Sequence, residues 1–291
     1  MKTIDSHHHF WKYDPVEYSW IDDPMEKIRR DFLPEDLAMV IKDAGVDGVI
    51  SVQARQSLEE TKWLLDLSRQ NSFIKGVVGW VPLTSPKLET ILSGLTHDHE
   101  LKSVRHVIQG ESDDNFILRD DFNRGVGLLE KVNLAYDILI LEKHLPQTIE
   151  FVDMHPAQVF ILDHIAKPKI GKNILSPWRE NMIELARRQN VYCKISGMVT
   201  EADYLGWTEE QLQPYFDTVI EAFGPDRLMF GSDWPVCTVA CEYRRWIEIT
   251  RKNISRLSAS EQERILSGTA IEAYKLDNRH IESKSVFKPT N

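Results

Sequence analysis

Short apolar runs alternate with amphipathic segments along almost the whole of this chain of 291 residues. Eight runs have the length and the Val, Ile, Leu and aromatic content of strands covered on both faces. They are Thr3–His7, Gly48–Gln53, Ile74–Val81, Lys102–Val107, Ala135–Leu141, Gln158–Asp163, Val191–Ser196 and Arg227–Ser232. Strands joined in this way by helices predict an α/β fold, a single (β/α)8 or TIM barrel, with a doubly wound open sheet as the alternative. No Gly-rich phosphate-binding fingerprint follows the first run, which disfavours the open sheet.

The segments between these runs carry helical periodicity. The predicted helices are Pro34–Ala44, Leu58–Gln70, Pro177–Gln189, Glu209–Phe223, Cys241–Ile254 and Ser260–Tyr274. The first of them is followed by Gly45, a typical stop signal. Ser260 and Glu263 have the spacing of a capping box.

Domain organisation follows from the same pattern. Residues 1–276 are predicted to form the barrel, and residues 277–291 a C-terminal tail. Phe10–Phe32 fits neither a strand nor a helix. Because this segment is aromatic and follows the first strand, we predict a lid-like loop over the top of the barrel.

Composition limits the partners. The 45 acidic and 35 basic residues give a formal net charge of −10, which argues against nucleic acid, because phosphate binding needs clustered Lys and Arg. No run approaches the ~20 apolar residues of a membrane helix, and the first residues lack a signal-peptide pattern. The three cysteines, Cys193, Cys237 and Cys241, form no Cys-x-x-Cys pair. We therefore expect a cytoplasmic protein with reduced thiols and a small-molecule partner, and leave the oligomeric state open.

Ionisable side chains stand at the predicted carboxyl ends of strands, where barrel enzymes place their sites. The first strand ends His7-His8-His9, and strand alternation puts His7 and His9 on one face. Two imidazoles at this spacing suit one metal ion or a substrate oxyanion. Incidental surface histidines are the alternative interpretation.

His164 follows the sixth strand and Asp233 follows the eighth. Each alone could be a buried polar residue or a helix cap. Facing the barrel axis together with His7 and His9, they would suit the activation of water. The carboxylate would take a proton while cations or a metal stabilise the developing negative charge.

Several segments, in strand order, resemble the amidohydrolase superfamily of the amidohydrolase-2 type. More narrowly they resemble its lactone hydrolase branch, the group of L-fuconolactonase, L-rhamnonolactonase and 2-pyrone-4,6-dicarboxylate hydrolase. The segments are Ile4–Trp11, Val104-Arg105-His106, Leu162-Asp163-His164 with Lys167-Pro168, Cys193–Gly197 and Phe230–Pro235. The resemblance spans residues 4 to about 275 and implies a (β/α)8 fold that hydrolyses a cyclic ester, such as L-fucono- or L-rhamnonolactone.

The resemblance also implies roles. Asp233 would be the general base, and the metal ligands or lactone contacts would be His7, His9, His164 and Asp233. Arg105 and His106 would stand beside the reacting carbon as catalytic groups together with His164. Strand alternation allows only one of Arg105 and His106 to face inward while the strand continues, and it favours Arg105.

One departure from the family pattern bears on the metal. Many binuclear relatives carry a carboxylated lysine at the end of strand four, where this chain has Arg105-His106, and Lys102 lies at the start of that strand. A two-metal centre is therefore disfavoured. One divalent ion, zinc first, and metal-independent hydrolysis both remain open, because a lactone is an activated ester.

Seven side chains near strand ends are candidates for substrate binding. They are Trp11, Gln53, Arg55, Trp80, Lys194, Ser196 and Trp234. A tryptophan face suits the apolar side of a sugar ring and polar groups suit its hydroxyls, although core packing could equally explain each tryptophan. Lys194 shares the parity of Ser196, which would place it inside the barrel beside a carboxylate.

The predicted function is thus a sugar-lactone hydrolase of carbohydrate catabolism. Three alternatives are kept: a metal-dependent decarboxylase of the same superfamily, a hydrolase of a dicarboxylate lactone, and a non-catalytic sugar- or metal-binding barrel. The aromatic segment after His9 and the lack of further acid-binding arginines favour the sugar lactonase.

Overall fold

The computed structural model describes residues 2–95 and 97–276, in which the eight predicted runs form one sheet of eight parallel strands. The strands are β1 (Ile4–His8), β2 (Gly48–Val52), β3 (Ile74–Gly79), β4 (Leu101–Val107), β5 (Ala135–Leu139), β6 (Phe160–Leu162), β7 (Val191–Ile195) and β8 (Leu228–Phe230). They neighbour one another in chain order. The predicted barrel is therefore confirmed.

The barrel closes where β1 meets the segment that follows β8. The His9 N–H donates to the Trp234 carbonyl at 2.7 Å, and the Asp233 N–H donates to the His7 carbonyl at 2.8 Å. We call this pair of hydrogen bonds the seam. Since both bonds start or end on residues predicted for the site, the closure itself brings those residues together.

Helices follow the strands along the chain. They are α1 (Pro34–Ala44), α2 (Leu58–Gln70), α3 (Leu88–Leu95), α4 (Asp120–Lys131), α5 (Leu145–Asp153), α6 (Trp178–Leu185), α7 (Glu209–Phe223), α8 (Tyr243–Ile254), α9 (Ala259–Glu263) and α10 (Thr269–Ala273). The observed bounds of α1, α2 and α7 are those predicted from sequence periodicity. Helices α3 to α5 complete the alternation of strands and helices. All residues of β1 and β2 are buried, which agrees with strands covered on both faces.

The terminal helix differs from the prediction. The predicted helix Ser260–Tyr274 is divided into α9, a π-helical turn over Arg264–Gly268, and α10. Ser258, not Ser260, caps it, because Ser258 has extended backbone angles and its N–H donates to Glu261 Oε2 at 2.8 Å. Both serines precede a glutamate by three residues, so spacing alone could not choose between them.

The aromatic segment after β1 is held together at its two ends by Trp11 and Phe32, a contact that we call the neck. Trp11 and Phe32 exchange two backbone hydrogen bonds of 3.0 and 2.9 Å, and their rings meet edge-on at 5.4 Å. Between them in sequence lies Trp20, whose ring centroid is 5.7 Å from that of Trp11. That this segment acts as a lid stays a prediction.

None of the helices in the described part of the chain is long and apolar enough to cross a membrane. The predicted tail, residues 277–291, lies outside the described residues.

Candidate active site

The His7 and His9 rings meet at the top of β1, as strand alternation predicts. Their Nε2 atoms are 3.2 Å apart, whereas His8 points the other way and bonds Ser51 Oγ at 2.9 Å. His9 Nδ1 lies 2.8 Å from the Val52 carbonyl oxygen. A carbonyl only accepts, so Nδ1 carries a proton, and Nε2 is the His9 nitrogen that faces the other site residues.

His164 and Asp233 reach the same point from backbone in the left-handed region. Their φ angles are 52° and 61°, a conformation that non-glycine residues keep only when their surroundings hold it. His164 Nδ1 bonds Ser196 Oγ at 2.9 Å. Gly197 makes room for this ring, because an added Cβ there would stand 2.7 Å from His164 Cγ.

The Asp233 carboxylate lies among three imidazoles. Its Oδ1 is 3.4 Å from His9 Nε2, 3.8 Å from His7 Nε2 and 3.9 Å from His164 Nε2. One ligand atom from each of His7, His164 and Asp233 falls within 4.8 Å of the others. Imidazole nitrogen and carboxylate oxygen are ligands that zinc takes in proteins.

Burial sets the protonation of this cluster. It lowers the pKa of His7 well below its ordinary value and that of His164 to about 4, so both rings are neutral at pH 7. Burial alone would raise the pKa of Asp233, but His164 and a hydrogen bond from His9 outweigh it and hold that pKa below its usual value. Neutral imidazoles beside an ionised carboxylate can hold a cation.

A buried charge network lies beneath the cluster. Lys194 Nζ is 2.6 Å from Asp137 Oδ2, 2.9 Å from Asp163 Oδ1 and 3.2 Å from His7 Nδ1. Arg105 Nη1 donates to Asp163 Oδ2 at 2.8 Å, so two cations face two carboxylates. Burial raises the pKa of Asp137, whereas Lys194 and His7 outweigh burial at Asp163 and hold its pKa well below the usual range. Sequence reasoning missed Asp137, although a lone carboxylate inside an apolar strand is a visible signal.

Arg105 and His106 point to opposite faces of β4. Arg105 lies on the site cavity and its Nη2 donates to the Gln53 backbone carbonyl. The His106 ring stacks on Phe116 at 5.0 Å, and its Nε2 lies 2.7 Å from Glu111 Oε1. The strand continues to Val107, so alternation turns His106 away, and the structure does not bring it to the site as predicted.

The three predicted tryptophans are placed outside the cavity lining. Trp11 is fully buried in the neck, and Trp234 is 3% exposed and meets the Phe32 ring at 5.2 Å. Trp80 is half-buried, and its backbone N–H donates to Thr61 Oγ1. The expected substrate contacts of Trp11 and Trp234 are corrected accordingly, because large aromatic rings next to the barrel gain more by packing on one another.

Of the four polar candidates for substrate binding, Arg55 alone lies on the cavity wall. Gln53 is buried, and its Nε2 donates to the Arg105 carbonyl at 3.2 Å. Ser196 orients His164, and Lys194 belongs to the buried network. These three therefore support the site from behind.

A cavity of about 550 Å³ opens above Asp233. Its lining is His9, Glu17, Trp20, Met25, Ala54, Arg55, Gln56, Ser57, Arg105, Val107, Gln109, Leu139, His164, Lys167, Thr200, Glu201, Tyr204, Asp233 and Val236. Glu17, Trp20, Gln109 and Glu201 come from loops, and sequence reasoning missed them because no period-2 or period-3.6 pattern fixes the path of a loop.

Each basic side chain on this lining already has an acidic partner. Arg55 Nη1 pairs with Glu17, Arg105 pairs with Asp163, and Lys167 Nζ lies 3.6 Å from Glu201 Oε1. Burial raises the pKa of Glu201. In the part of the chain that the structure describes, each Arg and Lys on the wall thus has a carboxylate partner.

Comparison with known proteins extends this description. Residues 4–276 match the family model described as amidohydrolase. An L-fucono-1,5-lactonase of Burkholderia multivorans is 38% identical over 290 residues, covering 94% of this chain and 96% of that protein. An L-fucono-1,5-lactonase of Burkholderia ambifaria is 33% identical over 282 residues, with 94% and 96% covered. A crystal structure of an amidohydrolase from Burkholderia multivorans with bound zinc is 38% identical and has a TM-score of 0.91, covering 95% of this chain and all of that one.

Proposed function

Since this chain belongs to the amidohydrolase family, we propose that it is a lactonase that opens the ring ester of a neutral sugar lactone. The observation that carries the proposal is the cavity, in which an ionised carboxylate stands among three imidazoles while every basic group on the wall is paired. The names of its two Burkholderia relatives support L-fucono-1,5-lactone as the first substrate to test.

Asp233 acts as the general base in this proposal. Its carboxylate takes a proton from water as the water oxygen bonds to the lactone carbonyl carbon. The tetrahedral intermediate then breaks the bond from carbon to ring oxygen, and Asp233 returns the proton to that oxygen. A positioned base of this kind contributes about 10²- to 10⁴-fold to the rate.

Arg105 stabilises the negative charge that develops on the carbonyl oxygen. Two of its nitrogens are committed to Asp163 and to the Gln53 carbonyl. Its Nε has no hydrogen-bond partner among the described residues although it is buried, so this N–H is free to donate. One donor to an oxyanion lowers a barrier by about 3–4 kcal/mol.

The site residues also fit a single divalent ion, zinc first, held by His7, His9, His164 and Asp233. The Nδ1 atoms of His9 and His164 are occupied by Val52 and Ser196, which leaves their Nε2 atoms toward Asp233 as second-sphere bonding usually arranges. A bound ion would polarise the carbonyl or lower the pKa of water. The zinc in the Burkholderia structure supports this assignment, and hydrolysis without metal is the competing proposal.

The charge of the cavity favours a neutral substrate over an anionic one. Glu17, Glu201 and Asp233 all lie on the wall. A dicarboxylate lactone, or the carboxylic acid that a decarboxylase needs, would have to compete with a carboxylate of the protein for each cation on the wall. A neutral polyol meets no such cost.

The remaining parts of the proposal concern the setting of the reaction. The three cysteines are free and buried, which supports a reducing compartment such as the cytoplasm. We propose a role in carbohydrate catabolism with a small-molecule substrate and no nucleic-acid partner.

A pH-indicator screen tests the proposal. The panel contains L-fucono-1,5-lactone, an L-rhamnonolactone and 2-pyrone-4,6-dicarboxylate, each with a blank for spontaneous hydrolysis, before and after chelation. We expect acid release from the neutral lactones that far exceeds that from the dicarboxylate. Faster turnover of the dicarboxylate, or release of CO₂ from an aromatic acid, would overturn it. Activity lost on chelation and restored by zinc would select the metal-dependent form.

A further inference from the structure

Four of the buried polar atoms without partners lie near the cavity or just behind its wall. Gln53 Oε1, Arg55 Nε, Arg105 Nε and Gln109 Oε1 have no hydrogen-bond partner among residues 2–95 and 97–276. All four belong to the carboxyl ends of β2 and β4 or to the loops that follow. An unpaired buried polar group costs about 1–3 kcal/mol. Three of the four, Arg55, Arg105 and Gln109, belong to residues that line the cavity, where a ligand is expected to complete the bonds.

Gln109 lies beyond the carboxyl end of β4. It lies in the short 3₁₀ turn Ile108–Gly110, four residues beyond Arg105, and its side chain lines the cavity. Arg105 bonds to groups inside the barrel. Gln109 therefore faces a part of the ligand away from the lactone carbonyl carbon, on which Arg105 and Asp233 act in the proposed reaction.

The wall that carries Gln109 is held in place by its neighbours. Gln56 Oε1 accepts the Val107 N–H at 2.8 Å, which ties the loop after β2 to the end of β4. Glu60 accepts the N–H groups of Ala54 and Arg55 at 3.1 and 2.7 Å. A wall fixed in this way presents its unpaired atoms at set positions, so less freedom is lost on binding.

The chemistry of the unpaired atom selects the ligand group. An amide oxygen accepts only, so it needs a donor from the ligand. A hydroxyl supplies one, whereas a carboxylate supplies acceptors alone and would face the Gln109 oxygen unfavourably. We propose that Gln109 is a specificity-determining residue that accepts a hydrogen bond from a ring hydroxyl of the lactone. This inference rests on the proposed lactonase function.

Two lactones and three variants test the inference. The lactones are L-fucono-1,5-lactone and δ-valerolactone, which has the same six-membered ring ester and no hydroxyls. For each we measure kcat/KM, or, for a lactone turned over too slowly, its Ki against the sugar lactone. We expect Gln109→Leu to lose about tenfold on the sugar lactone, the effect of one hydrogen bond of ~1.4 kcal/mol, mainly through KM. Its constant for δ-valerolactone stays unchanged.

The other variants are controls. Gln109→Glu keeps an acceptor oxygen and is expected to retain most of the preference for the sugar lactone. Gln147→Leu, on α5, removes another glutamine whose amide oxygen lacks a described partner but which is not on the cavity lining, and it is expected to change neither constant. Equal losses on both lactones, or no loss on the sugar lactone, would overturn the role of Gln109. A wild-type protein that hydrolyses neither lactone would instead overturn the proposed function.

Discussion

Lys194 offers a sharp test of the charge network beneath the site, because it neutralises two carboxylates that water does not reach. Lys194, Asp137 and Asp163 are all 0% exposed. We predict that Lys194→Met lowers the free energy of unfolding by about 3–5 kcal/mol at pH 7, the cost of leaving a buried charge without its partner.

The magnitude follows from the geometry. At 2.6 Å from Asp137 Oδ2, the attraction is about 6 kcal/mol at an effective dielectric constant of 20. Desolvation of the two ions costs several kcal/mol each, so the intact pair is close to neutral in net stability. Removal of the lysine leaves the desolvation of Asp137 without that attraction, whereas Asp163 keeps Arg105 at 2.8 Å.

Urea denaturation of the single and double variants measures the change in the free energy of unfolding. In Lys194→Met with Asp137→Asn the uncompensated charge is gone, and we expect the double variant to recover at least half of the loss. The loss in the single variant should also shrink at pH 5, because burial already raises the pKa of Asp137 and protonation removes the charge. A loss below about 1 kcal/mol, or losses that simply add, would refute this reasoning.

Three further predictions concern the site and its wall. Asp233→Asn should lower kcat by about 10²- to 10⁴-fold in an initial-rate assay with L-fucono-1,5-lactone, and full activity would exclude Asp233 as the base. Gly197→Ala should destabilise the fold by about 1–3 kcal/mol and lower kcat, because the new Cβ meets the His164 ring at a φ of +65°. Its control is Gly94→Ala in α3, where a Cβ meets no described atom within 4 Å; similar melting temperatures for both variants would contradict the prediction. Burial raises the pKa of Glu60 from 4.5 to about 7, so between these pH values the folded protein binds a proton that the unfolded chain does not. The free energy of unfolding therefore falls by about 3 kcal/mol as pH rises from 4.5 through 7. Glu60→Gln lacks this loss, so its stability relative to wild type should rise over that range in urea titrations, and a flat difference would contradict it.

Sequence alone predicted the parts of the fold and site that depend on local periodicity. The eight runs form strands because a short apolar run between helices is typical of a strand buried on both faces. The inward direction of His7, His9, Arg105 and Lys194 followed from alternation of side chains along strands. The order of strands followed from the preference of consecutive parallel strands to neighbour one another.

What sequence could not give depends on packing between distant segments. Trp11 and Trp234 at strand ends have the same local pattern whether they face a ligand or another ring. In the structure both rings contact Phe32, which is distant from Trp234 in sequence. Gln109 and Glu201 reach the cavity from loops whose paths are set by contacts elsewhere in the barrel. His106 carried a family expectation that the continuing strand overrode.

The seam has a consequence for how the protein acquires its activity. Ser232 and Asp5, bonded beside it, are 227 positions apart in the chain. Contacts so distant in sequence form only after the intervening strands have been ordered, because chain entropy opposes them until then. The proposed base and the paired histidines thus assemble in the same event that joins the two ends of the sheet. A ribosome-bound fragment that lacks β8 has every histidine of the cluster and no base, so catalysis begins only when synthesis has passed Asp233. During refolding, the moment at which activity returns therefore reports when β1 and β8 have joined.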